Sequence, residues 1–322
     1  MNSTNDFDVL QVPIIDLSLL QRDSQERPLV IKQIHQACRT VGIFAIINHG
    51  ISETIIEEAL NVNKNFFDLP LKTKEELMSH DMYNPVKYGV YQDQDGDQGI
   101  LRSYLKLYSH PFEKFGPLWP ANPPDYREKM GKCAMDMRKL SIQICGAIME
   151  SLNLEATYLE EKIERGVQMV AINSYSPISR SNKNLIGTAQ HSDFSIITIL
   201  LQSSSGLQVM ETTEKTWKSI PLIKGSFLVL VGDLLEVLSN GEYNAVLHRV
   251  IRTSGDETRL SVAGFQSLEM DEILEPAIKL VDEEHPKKYK GCCLRDYLGY
   301  RDSGESKPFL ETVKITSAII KE

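Results

Sequence analysis

The chain has few cysteines, five in 322 residues, and their odd number and spacing match no zinc ribbon. It also lacks a cationic and then apolar leader at MNSTNDFDVL, so a reducing, cytoplasmic setting with buried or incidental thiols is expected. Cys292 and Cys293 are vicinal, a poor geometry for a disulfide, and no redox role is assigned to them. No apolar run approaches the ~18 residues a membrane span needs. No basic run occurs either: 35 Lys and Arg stand against 44 Asp and Glu, for a net charge of −9. That balance argues against a nucleic-acid surface. Small anionic ligands remain compatible, because local charge governs a site. Repeats, low-complexity stretches and linkers are missing too, so a single compact, monomeric unit is expected.

What is present is ordinary globular material, 42% hydrophobic and 25% charged. VPIIDL (12–17) and IFAIINHG (43–50) read as strands, with a helix opened by Pro28 and stopped by Gly42 between them. ISETIIEEALNVNKNFFDLP and LKTKEELMSH read as helices broken at Pro70. Residues 81–125 read as irregular, with DQDGDQG a loop and PLWPANPPDY a proline-broken stretch. Apolar spacing predicts a long helix from Tyr126 to about Leu154, then a shorter one in TYLEEKIERG. VQMVAINSYS, SIITILLQ, GLQVMET, WKSIPL, SFLVLVG, YNAVLHRVIRT and RLSVAGFQS follow as strand-like runs, separated by turns such as SSSG, IKG, SNGE and SGDE. The class is therefore α+β with a sandwich or barrel core. The expected regions are 1–165, mainly helical with two short strands; 166–270, the β core; and 271–322, a C-terminal segment with a helix near KYKGCCLRDYLGYR that packs on the core.

The chemistry-bearing residues lie in the β half. On a strand, His191 and Asp193 point the same way, and His248 in AVLHRVI supplies a third ligand. Two histidines and one carboxylate on one face of an ion leave three positions open, which suits Fe(II) and oxygen better than a closed zinc site. HxD alone is weak, since such a pair at a strand end is commonly only a hydrogen bond. The turn SGDE then returns the chain as RLSVAGF, expected beside the His248 strand, with Arg259, Ser261, Ala263 and Phe265 on one face. Arginine binds a carboxylate through two parallel bonds, and a neighbouring hydroxyl adds another. The bland alternative is an edge-strand arginine in solvent, as expected for Arg249 or Arg252.

His191-x-Asp193, His248 and Arg259-x-Ser261 at these separations resemble the iron(II)- and 2-oxoglutarate-dependent dioxygenases. The branch is the plant-type, isopenicillin N synthase-like one that includes flavonoid, alkaloid and hormone oxygenases. VPIIDL, GIFAIINHGI, FFDLP, LWPANPPDYRE, HSDFSIITILLQ, GLQV, VGDLLEVLSNGEYNAVLHRV and RLSVAGF resemble its landmarks in order, across nearly the whole chain.

The resemblance implies a double-stranded β-helix (jelly roll) flanked by helices, with His191, Asp193 and His248 as iron ligands. It places Arg259 and Ser261 on the distal carboxylate of 2-oxoglutarate, with Tyr175 and Asn173 in support. Ser174, Ser176 and Ile178 stand where that branch usually has aromatic, proline and cysteine residues, and LVLV precedes Gly232-Asp233 without the usual asparagine. His49 is assigned to a turn and not to the metal.

The implied activity is hydroxylation or desaturation of a small molecule coupled to conversion of 2-oxoglutarate and O2 to succinate and CO2, with ascorbate as a supporting reagent in vitro. The intact Asp193 favours oxygenation over halogenation. Phe265, Tyr104, Leu107 and Phe115 are the candidate substrate-pocket residues. No unassigned inward Lys or Arg stands out, which favours a neutral or aromatic metabolite such as a flavonoid, phenylpropanoid or alkaloid. Two alternatives remain: an iron oxidase on the same scaffold that does not use 2-oxoglutarate, and a non-enzymatic β-sandwich, disfavoured because buried charges without a ligand are costly.

Overall fold

A computed structural model describes residues 8–21, 23–92, 100–178, 186–252, 257–305 and 307–315. Its strands, in chain order, are β1 (Ile14–Asp16), β2 (Ile43–Ile47), β3 (Val86–Gln92), β4 (Ile100–His110), β5 (Gln168–Tyr175), β6 (Ile186–His191), β7 (Ile197–Gln202), β8 (Leu207–Met210), β9 (Trp217–Ser219), β10 (Phe227–Val231), β11 (His248–Ile251) and β12 (Arg259–Gln266). They form a large sheet in the order β1-β2-β10-β7-β12-β5-β4-β3 and a small one in the order β6-β11-β8-β9.

Period-two alternation gives the large sheet two buried faces. Val170, Ile172, Ile199, Leu201, Val229 and Val262 join the main core on the helix side. Their neighbours Ala171, Tyr175, Leu200, Leu230 and Ala263 pack against Leu207, Val209 and Val250 of the small sheet. Two sheets face to face with helices outside one of them is the jelly-roll arrangement expected from the sequence.

The helix Tyr126–Ser151 carries much of the outer layer. Met130, Cys133, Ala134, Met137, Ile144, Cys145 and Ile148 recur at three- and four-residue spacing, and none is more than 1% exposed. Each large apolar side chain so buried contributes ~1.5–3 kcal/mol. The helix Glu53–Asp68 packs on it, opened by Ser52, whose hydroxyl accepts from the Ile55 amide.

Four sequence expectations need correction. The stretch expected to be irregular holds β3 and β4, so four strands precede residue 165, not two, and all four belong to the large sheet. In β4, Leu101, Leu105 and Leu107 are buried on one face while Arg102, Tyr104 and Lys106 alternate with them on the other, a period-two pattern that marks a strand.

His191 and Asp193 do not lie on one strand. β6 ends at His191 in the small sheet, and β7 begins at Ile197 in the large one. Nor do β11 and β12 pair: β11 lies between β6 and β8, β12 between β5 and β7, so Arg259 reaches the site from the opposite sheet. The chain crosses the sandwich between them. Most of the expected SGDE turn, like the DQDGDQG loop, lies outside the described residues.

Finally, Arg252 is not in solvent: it is 3% exposed and donates to the Ser176 and Pro177 carbonyls. All five cysteines are unpaired and buried, Cys292 and Cys293 included.

Candidate metal and co-substrate site

His191 ends β6 and His248 begins β11, and the two are register partners across the small sheet. Their rings lie 4.2 Å apart. Asp193 sits two residues on, in the corner where the chain leaves the small sheet for the large one. Its Oδ1 is 3.5 Å from His191 Nε2 and 3.7 Å from His248 Nε2. One donor atom from each of the three residues lies within 4.8 Å of the others.

The protonation pattern tests whether this trio fits a cation. His191 Nδ1 donates to the Ala189 carbonyl at 2.9 Å, and His248 Nδ1 to the Val246 carbonyl at 3.0 Å. A carbonyl only accepts, so each Nδ1 carries the hydrogen, and in a neutral ring it is Nε2 that presents the lone pair. Burial, and then the neighbouring His248, lower the His191 pKa to about 4, which keeps that ring neutral. Two imidazoles and a carboxylate oxygen thus converge on one point. Such a donor set repels itself until a cation sits between its members, and it fits the iron implied by the sequence.

The corner carrying Asp193 is held from behind. The Asp233 amide donates to the Asp193 carbonyl at 2.8 Å, the Leu234 amide to Ser195 and the Gly232 amide to Ile196. A Cβ on Gly232 would stand 2.1 Å from the Ser195 carbonyl oxygen, so only glycine allows this approach. The Gly232-Asp233 step, which the sequence marked only as a landmark, therefore clamps a ligand-bearing turn.

Across the sandwich, Arg259 is 2% exposed. Its Nε donates to the Ser204 and Ser205 carbonyls at 3.2 and 3.1 Å, and its Nη2 to Gln202 at 3.0 Å. Nη1 is buried without a partner among the described residues. Burial lowers the guanidinium pKa from its ordinary value. An unsatisfied buried donor costs ~1–3 kcal/mol, more when charged, so this one calls for an anion. Register places Ser261 opposite Asn173 and Gln202, and Arg259 opposite Tyr175, whose ring centre is 5.1 Å from the guanidinium. The Tyr175 hydroxyl is hydrogen-bonded to Thr188 at 2.8 Å, and Thr188 also accepts from Arg102.

Phe265 shares the inner face with Arg259, Ser261 and Ala263, and Tyr104 lies on that face opposite Asn173. The other two pocket candidates fail. Leu107 is fully buried on the opposite face, in the helix-side core, because it is an odd number of residues from Tyr104. Phe115 packs edge-on against Tyr108 at 5.4 Å and lines a surface groove with His110, Arg165 and Glu272, away from the three donors. His49 is a turn residue as expected, its Nε2 donating to the Gly225 carbonyl while its Nδ1 accepts from the Ile51 amide.

Sequence reasoning missed several groups around the site. Arg102 and Lys106 alternate with Tyr104 along the inner face of β4, which corrects the expectation that no unassigned inward cation stands out. Thr188 was missed as the link between Arg102 and Tyr175. Tyr297, on the helix Leu294–Asp302, stacks on Phe194 beside Asp193, with ring centres 4.4 Å apart and planes 4° from parallel. Period-two alternation in ILRSYLKLYSH was the available signal for the first two; nothing local announces the others.

Comparison with known proteins bears on the same residues. A family model described as the 2OG-Fe(II) oxygenase superfamily matches residues 166–267, and one described as the non-haem dioxygenase in morphine synthesis N-terminal region matches residues 12–130. The chain is 42% identical over 306 residues to 2-oxoglutarate-dependent dioxygenase 21, chloroplastic, of Oryza sativa subsp. japonica, covering 94% of this chain and 91% of that one. It is 36% identical over 308 residues to flavanone 3-dioxygenase 3 of the same organism, covering 94% and 93%. The crystal structure of JOX2 in complex with 2OG, Fe and JA superposes with a TM-score of 0.83 at 27% identity, covering 98% of this chain and 93% of that one.

Proposed function

The chain belongs to the 2-oxoglutarate- and iron(II)-dependent oxygenase superfamily and is an oxidoreductase of that class, and from this premise we propose that it hydroxylates or desaturates a small aromatic metabolite. The observation that carries the reading is the convergence of two imidazoles and a carboxylate, with a buried, unpartnered guanidinium nitrogen on the facing sheet. His191, Asp193 and His248 would hold the iron, and their arrangement on one side leaves positions open for co-substrate and oxygen. Once bound, iron(II) with 2-oxoglutarate and O2 supplies the oxidising power needed to break a C–H bond, releasing succinate and CO2.

The chain's own residues position and enclose. The carbonyls holding each Nδ1 fix the ring planes, so both Nε2 lone pairs stay aimed inward. Arg259 and Ser261 take the distal carboxylate of 2-oxoglutarate, with the Tyr175 ring beside the guanidinium and Asn173 across from the serine. The low-dielectric surroundings of Arg259 strengthen that contact. Phe265 and Tyr104 give the inner face aromatic walls that orient a substrate and displace water. The flavanone dioxygenase relative supports an aromatic substrate.

The test is succinate formation from 2-oxoglutarate by purified protein with Fe(II), ascorbate and a panel of aromatic metabolites. Iron-dependent succinate, raised by at least one compound, is expected. Its absence with every compound despite bound iron refutes the reading, and iron-dependent O2 uptake without succinate assigns chemistry that does not use 2-oxoglutarate.

The reading extends to a monomer of regions 1–165, 166–270 and 271–322 that acts in the cytoplasm on small molecules and not on nucleic acid. Its net charge of −9 and five unpaired thiols support this. Among the described residues no helix is long and apolar enough to cross a membrane. The rice relative named chloroplastic makes cell fractionation the test of location, and gel filtration is the test of the monomer.

A further inference from the structure

Lys106 lies where a lysine is costly. It is on the inner face of β4, opposite Ala171, which in turn lies opposite Ala263. Its two register neighbours along that row are alanines, which carry no polar side-chain atom that could receive the ammonium. The residue is half-buried. Among the described residues no hydrogen bond or ion pair reaches its Nζ; its only recorded partner is the Tyr104 ring, 5.9 Å away.

The surrounding charge makes matters worse. Burial, then Lys87, Arg102 and Arg301, lower its pKa to about 8, and Asp193, the one acid acting in the opposite direction, belongs to the metal trio. With that value the side chain is still mainly protonated at neutral pH. A cation held among cations stabilises nothing in the fold. Among the described residues no acid pairs with its ammonium.

Lys106 is also not part of the 2-oxoglutarate clamp. Ala263, in its row, is four residues along β12 from Arg259, or ~13 Å at the rise of a strand. One small diacid that is already held at the metal by its other end does not serve both cations. The helix Leu294–Asp302 lies on this side, with Tyr297 stacked on Phe194 next to Asp193 and Arg301 near enough to act on Lys106.

We propose that Lys106 is the specificity residue for the organic substrate, and that this substrate carries a carboxylate which its ammonium receives. The inference rests on the oxygenase reading and narrows it: the aromatic metabolite is an acid, and a cationic alkaloid is excluded.

The experiment uses matched acid and amide probes: benzoate and benzamide, phenylacetate and phenylacetamide, cinnamate and cinnamamide. Each is titrated calorimetrically under anaerobic conditions into protein loaded with Fe(II) and saturated with 2-oxoglutarate, so that Arg259 is already occupied. At least one acid should bind tenfold or more tightly than its amide. Lys106→Met should reduce that ratio to within twofold, and Lys106→Arg should retain it. The proposal is overturned if no acid outperforms its amide in the unmodified protein, or if the preference survives Lys106→Met. Should Lys106→Met fail to fold, the unmodified protein and Lys106→Arg decide the question by the same ratio. Succinate formation by the unmodified protein, measured separately, tells failure of this inference from failure of the oxygenase reading.

Discussion

Arg259→Lys keeps the charge and removes the fork. Arg259 uses Nε on two carbonyls and Nη2 on Gln202, which leaves Nη1, buried and unpartnered, to meet a carboxylate. A lysine ammonium ends near where Nε and the guanidinium carbon now lie, so it satisfies the Ser204 and Ser205 carbonyls and stops short of the position of Nη1. What is lost is a charge-assisted hydrogen bond in a dry site, ~1.5–3 kcal/mol. At ~1.4 kcal/mol per tenfold, the 2-oxoglutarate concentration for half-maximal rate should rise about 10- to 150-fold. Arg259→Ala should raise it further, since the charge goes as well. The assay is initial succinate formation against 2-oxoglutarate, with the rise in melting temperature on adding 2-oxoglutarate as a second reading that requires no turnover. A change smaller than threefold in Arg259→Lys, with the protein folded, would refute the assignment of Arg259 to the distal carboxylate.

Replacing either imidazole, in His191→Ala or His248→Ala, should abolish iron retention after desalting, read as bound iron per chain, together with turnover. Gly232→Ala must push the Ser195 carbonyl out of a 2.1 Å contact, at a cost of about 3 kcal/mol; melting temperature and iron affinity should fall together although no ligand has changed. Leu107→Ala should lower stability by ~2–5 kcal/mol on denaturant titration, while the 2-oxoglutarate requirement stays within twofold; a selective change in substrate affinity would return Leu107 to the pocket. Burial raises the Cys133, Cys145 and Cys292 thiol pKa values to about 12. A thiol loses its proton only as pH approaches its pKa, so at pH 8 about one in 10,000 of each is thiolate. Native protein should react slowly with a disulfide reagent at pH 8, and all five thiols should react promptly in denaturant; fast native labelling of these three would contradict their burial.

Much of the site was legible because its residues are tied to local patterns. His191-x-Asp193 and Arg259-x-Ser261 keep a two-residue spacing that a strand or its continuation turns into a common direction, and the helix Tyr126–Ser151 shows its buried stripe at three- and four-residue intervals. β4 was legible only in part. Period-two alternation in ILRSYLKLYSH marks a strand, but that Arg102, Tyr104 and Lys106 line an inner face shows only once the sheet around it is known. Pairing across sheets was hidden as well. β11 and β12 are consecutive strands, and consecutive strands commonly pair, yet here the chain crosses the sandwich between them.

By itself the sequence determined which side chains are the candidates for the chemistry and the family pattern in which they stand, because residue identity and short spacing are properties of the chain. Only the tertiary structure decided how they meet. A histidine that ends a strand of one sheet, a carboxylate in the corner beyond it and an arginine from the facing sheet become one site through contacts between residues far apart in sequence. The same holds for the glycine behind Asp193, for the helix over Phe194 and for the unpartnered lysine on β4. Burial and the absence of a partner belong to the packed whole and cannot be written in any short stretch of the chain.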